Sequence, residues 1–180
     1  MPFPNDHKYT AEEYFAETPE SNRHIELRDG LIIEFESPTL EHQSILQGIL
    51  FRIHYFLKTN ELQDKLLMLA FDVKIDDYNV VQPDILIVRD MSQLDGKRCY
   101  GVPDFVVEIV SPDTDSDYTE KLVMYYRGGA KEYWIVDPLY ERVMVYFFEK
   151  SSSPYIYTFD MSVPVGIYDG KLTINFKDMI

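Results

Sequence analysis

The pattern of apolar positions divides the chain into recognisable elements. In "SPTLEHQSILQGILFRIHYFLK", Leu46, Leu50, Ile53 and Leu57 recur at helical spacing. His42 extends that stripe toward the N-terminus, and Glu41 lies beside it in line with Ile45 and Ile49. "KLLMLAFDVKI" alternates Leu67, Leu69, Phe71, Val73 and Ile75, which predicts one strand. "PDILIV" and "PDFVVEIV" are short apolar runs led by Pro-Asp and read as buried strands. "RHIELRDGLIIEFE" predicts a hairpin turning at Asp29-Gly30. Thr10 and Glu13 form a capping-box pattern before a short helix. Asp117 and Glu120 repeat that pattern before Leu122, Tyr125 and Tyr126, with Gly128-Gly129 as the stop. "KEYWIVD" and "RVMVYFFE" are strands joined at "PLYE", and Asp169-Gly170 marks a further hairpin. The order is helix, hairpin, helix, three strands, helix, then several strands. That order predicts an α/β fold with β-rich extensions.

Composition adds bounds. The 180 residues suit a single domain over 1–180, with a core at about 39–150 and a β-rich C-terminal extension at 151–180. Hydrophobic residues make up 46% and aromatics 14%, so the chain can form a core. With Cys99 as its one cysteine, no intrachain disulfide can form. The N-terminal residues lack a secretory pattern, and "LLMLAF" is too short to span a bilayer. A cytoplasmic protein without a membrane partner is the expectation. The net charge of -14 argues against nonspecific coating of nucleic acid.

The chemistry concentrates in "PDFVVEIVSPDTDSDYTEK", which carries six carboxylates. A calcium loop fails, because Tyr118 stands where glycine is required and Met124 where the bidentate glutamate should be. Most of these acids read as a solvated turn, with Asp117 as the helix cap. Glu108 is different: it interrupts an apolar strand, where a carboxylate needs a cation or a metal. Asp84 opens the neighbouring apolar run, and the two acids would meet at one sheet end if their strands are adjacent. Two such oxygen donors suit Mg²⁺, which keeps several waters. Lys121 sits near the positive end of its helix, where a cation gains nothing unless an acid offsets it.

These features resemble the PD-(D/E)XK nuclease superfamily. More narrowly, "HIELRDGLIIEFESP", "PDILIV", "PDFVVEIVSP" and "DYTEKLVMYYRGGAKEYWIVDP" are similar to a large family of uncharacterised bacterial proteins of restriction-endonuclease type. The resemblance implies a restriction-endonuclease-like fold: a mixed α+β sheet flanked by helices, with a catalytic metal (Mg²⁺ or Mn²⁺) at one sheet end. It implies Asp84, Glu108 and Lys121 as catalytic residues, the two acids being metal ligands. The third acidic position best matches Glu41, with Glu26, Glu34 and His42 as competitors. The family pattern places the lysine two residues after the glutamate. That position is Val110, so Lys121 from the following helix is the substitute.

The leading expectation is metal-dependent hydrolysis of DNA, with a homodimer addressing both strands. Arg89, Lys97 and Arg98 in "RDMSQLDGKRCYG" are the candidate nucleic-acid contacts. A nuclease fold that binds without cutting is the alternative, and hydrolysis of another substrate by paired carboxylates is a third. His42 and His54 do not converge as zinc ligands, and no phosphate-binding glycine loop or "GxSxG" motif is present.

Overall fold

The computed structural model describes residues 7–18, 24–110, 117–151 and 153–179, with the side chain of Asp117 left out. The predicted turn over 113–116 and the side chain of Asp117 as its cap therefore lie outside the described residues. Helix α1 (Ala11–Glu17) starts at Thr10 with the reciprocal capping box that the sequence predicts. Strands β1 (Ile25–Arg28) and β2 (Leu31–Glu34) form the hairpin, with Asp29 and Gly30 both at positive φ. Helix α2 (Leu40–Thr59) is capped by Thr39 and buries Ile45, Leu46, Ile49, Ile53 and Leu57.

The predicted single strand over "KLLMLAFDVKI" is two strands. Strand β3 (Lys65–Met68) and strand β4 (Val73–Asp76) belong to different sheets, and the chain bends between them with Ala70 at φ +61. Alternation continues through the bend because both pieces bury apolar side chains, so the pattern could not reveal the break. Strand β5 (Asn79–Val81) returns along β4, and β6 (Ile85–Val88) follows. Strand β7 (Cys99–Tyr100) runs parallel to β4, and β8 (Phe105–Ile109) is wholly buried. A wide helical turn at Asp117–Lys121 leads into α3 (Leu122–Gly128), which ends on a left-handed Gly129.

Strands β9 (Glu132–Asp137), β10 (Arg142–Phe147) and β11 (Tyr155–Thr158) complete the central sheet, in the order β11-β10-β9-β8-β6-β3. Among the described residues of this sheet, only β8 and β9 pair in parallel, with α3 between them in sequence. The second sheet has the order β2-β1-β5-β4-β7, and β12 (Ser162–Pro164) pairs with β13 (Thr173–Asn175). The architecture is mixed α+β.

Strand alternation sends the central sheet into two cores. One holds Ile85, Ile87, Phe105, Val107, Ile109 and Trp134 against α2. Residues of the C-terminal segment, including Val163, Ile174 and Phe176, belong to this same core. The other core packs Leu86, Val106 and Ile135 against Tyr125 of α3 and against Val73 and Cys99 of the second sheet. Among the described residues no helix is long and apolar enough to cross a membrane.

Candidate active site

Asp84 and Glu108 meet at one end of the central sheet. Ile85 pairs with Val107 and Leu86 with Val106, so one step further along this antiparallel register sets Asp84 opposite Glu108. Directly opposed residues have Cβ atoms about 4.5–5.5 Å apart. Both side chains are buried, at 5% and 3% exposure. The Ile109 backbone N–H donates to Asp84 Oδ2 at 2.7 Å, which ties the aspartate to the strand that carries Glu108.

Lys121 reaches this point from the helical turn after β8. Its Nζ lies 2.9 Å from Glu108 Oε1, and the residue is 2% exposed. The surface reading of this lysine is therefore excluded. The Tyr125 hydroxyl, one turn on, donates to the same Glu108 oxygen at 2.8 Å. Burial and the Glu108 charge push the Tyr125 hydroxyl well above its ordinary range, which keeps it a donor.

The hairpin supplies a third buried acid. Glu26, fully buried on β1, has Oε1 3.2 Å from Lys121 Nζ. The same oxygen accepts from the Gln82 backbone N–H at 2.9 Å. Its Oε2 accepts from Arg28 Nε at 2.7 Å and faces Arg28 Nη2 at 2.6 Å. Burial opposes its ionisation, but Lys121, His24 and Arg28 prevail and hold its carboxyl well below the usual range. The apolar-polar pattern could have flagged Glu26, since its neighbours Ile25 and Leu27 face a core. A hairpin with one exposed face explained it equally well.

Glu41, the best match to the third acidic position, is exposed on the first turn of α2. His42, one residue or 100° further round, is the side chain that turns inward. Its Nε2 lies 3.1 Å from Asp84 Oδ1, and its Nδ1 is buried with no hydrogen-bond partner among the described residues. The line through Ile45 and Ile49 reaches the surface at the helix start, which leaves Glu41 exposed there.

Of the three candidate nucleic-acid contacts, Arg89 lies at the other end of its strand from Asp84. Arg89 follows the C-terminal end of β6, opposite Asp84, where its N–H donates to Asp104 and its guanidinium lies 3.5 Å from Asp64. Arg98 stacks over the Phe15 ring at 3.8 Å and sits 3.8 Å from Asp72. Lys97 is exposed.

Asp84 has the Ile109 N–H on Oδ2 and His42 Nε2 beside Oδ1 and so keeps acceptor capacity, whereas Glu26 is crowded by Gln82, Lys121, His24 and Arg28. No cluster of three His, Cys, Asp or Glu side chains arranged for a metal occurs among the described residues. Two carboxylates fit an ion that takes most of its coordination from water and substrate, as Mg²⁺ does, and do not fit a fully enclosing protein cage.

Comparison with known proteins bears on the family and the fold. Residues 11–159 match the model of the Uma2 family, described as "Putative restriction endonuclease". A solved structure described as "a putative nuclease belonging to DUF820", from Anabaena variabilis ATCC 29413, superposes with a TM-score of 0.78 at 22% identity. The match covers 94% of this chain and 96% of that one. No curated protein sequence matches at a significant level.

Proposed function

Because the chain belongs to the Uma2 family of restriction-endonuclease-like proteins, with residues 11–159 matching its model, we propose that it is a Mg²⁺-dependent endonuclease hydrolysing phosphodiester bonds of DNA. The observation that carries this reading is the lysine ammonium held against buried Glu108, which lies in register with Asp84 at one sheet end. Asp84 and Glu108 would hold the ion, which when bound positions a phosphate and lowers the pKa of a water. Lys121 presents a fixed positive charge to the phosphoryl oxygens as negative charge grows on them. Asp84 is oriented by the Ile109 N–H and His42, and Glu108 by Lys121 and Tyr125, so the ligands need little rearrangement.

Incubation of supercoiled and linear DNA with Mg²⁺ or Mn²⁺ tests the proposal. Nicking or cutting that chelator and Asp84→Asn both abolish is expected. Intact DNA under every metal condition would overturn it. The net charge of -14 favours a second reading, a nuclease fold that binds without cutting. DNA retention without cleavage in the same assay would select it.

A further inference from the structure

We propose that Glu26, from the hairpin sheet, is a positioning residue that fixes Lys121 and is not a metal ligand. This deepens the nuclease reading, but the central part of its test does not depend on cleavage.

A lysine two residues after the glutamate would be held by the strand itself. Here that position is Val110, and Lys121 is delivered by a wide helical turn beyond a further stretch of chain. Such a turn does not set the direction of a long, flexible side chain. A buried ammonium also needs its charge balanced in every state of the site. Glu108 balances it as the structure stands, at 2.9 Å. Once Glu108 serves a divalent ion, its charge is shared with that ion, and a second acid must hold the lysine. Glu26 stands 3.2 Å from Nζ on β1.

The surroundings of Glu26 suit that task. Its oxygens are crowded: the Gln82 N–H and Lys121 lie on Oε1 with His24 Nε2 at 3.5 Å, and Arg28 Nε donates to Oε2 with Nη2 2.6 Å away. A carboxylate accepts about four hydrogen bonds, so a metal would have to displace one of these. Gln82 in turn donates from Nε2 to Asp72 at 2.8 Å, and Gln82 follows β5 directly. The acid is therefore anchored to two strands of the second sheet. That sheet becomes part of the catalytic apparatus, because it places the second anchor for the lysine.

The test is lysine acylation read by peptide mass spectrometry, on the parent, Glu26→Gln and Glu26→Asp. Aspartate keeps the charge for Arg28 but withdraws the carboxylate by about 1.5 Å. In the parent, Lys121 should label far more slowly than Lys131, whose side chain is 46% exposed. In both variants Lys121 labelling should rise by roughly tenfold or more while Lys131 is unchanged. Mn²⁺ binding measured by calorimetry should persist. Where the parent cuts DNA, kcat should fall by roughly 10- to 100-fold with KM little changed. A folded Glu26→Asp variant whose Lys121 stays as protected as in the parent overturns the proposal. So does loss of Mn²⁺ binding in that variant, which would make Glu26 a ligand. If Glu26→Gln fails to fold by circular dichroism, Glu26→Asp decides alone. A parent that cuts nothing defeats the nuclease reading, while labelling still decides the role of Glu26.

Discussion

The ammonium nitrogen of Lys121 stands 2.9 Å from Glu108 Oε1, although the two residues belong to a helical turn and a strand. A charge taken from water this completely survives only with an acid beside it. Lys121→Met should therefore act on both stability and rate. We expect a loss of roughly 3 kcal/mol in urea unfolding, because Glu108 keeps its burial and loses its cation. DNA cleavage should fall on the order of 100-fold or more, the cost of removing one preorganised charge from a transition state. Parent-like cleavage by Lys121→Met would end the catalytic assignment.

Asp84 immediately precedes β6, and continuing the β6–β8 register sets it opposite Glu108. Titration calorimetry with Mn²⁺ should show one site in the parent and none in Asp84→Ala. Undiminished binding in the variant would place the ion elsewhere.

The first turn of α2 separates two neighbours by environment. Glu41 is exposed, and His42 is buried against Asp84. Glu41→Ala should alter stability by no more than about 0.5 kcal/mol. His42→Ala should cost roughly 1–3 kcal/mol, since it removes a partner of a buried carboxylate and leaves a void. Thermal melts of the two variants check the contrast, and equal effects would contradict it.

Glu132 predicts a pH effect at the end of the sheet opposite Asp84 and Glu108. It is buried and accepts from Trp134 Nε1 at 2.6 Å and from the Ile167 N–H at 2.8 Å. Burial raises its carboxyl to about 7, against the contrary pull of these hydrogen bonds. The folded state thus holds a proton that the unfolded chain releases near 4.5. The stabilisation from this group is fully present below about 4.5 and is lost as pH rises through about 7. Urea midpoints should fall between pH 5 and 8, by up to roughly 3 kcal/mol from this residue. Glu132→Gln should flatten that slope, and an unchanged slope would remove Glu132 as its source.

Gly128 of α3 faces Val102, and an added Cβ would come within 2.0 Å of its Cγ2. Gly128→Ala should cost roughly 1–3 kcal/mol despite alanine's better helix propensity. A stabilised variant in thermal unfolding would show that α3 can shift.

Sequence alone determined the elements whose periodicity is local. The α2 stripe, the Asp29-Gly30 hairpin, the Thr10 capping box and the strands carrying Asp84 and Glu108 are all legible. Each depends on residues a few positions apart. Glu108 stands out for the same reason, because a carboxylate inside an apolar strand demands a partner wherever the strand lies. Tertiary structure decided the partners. The break between β3 and β4 leaves the alternation undisturbed, so only sheet assignment reveals it. Glu41 and His42 differ by 100° of helix rotation, and how α2 sits on the sheet selects the histidine. Glu26 reaches Lys121 only because a second sheet packs on the central one. That contact joins residues far apart in sequence, and no local pattern encodes a distance across two sheets.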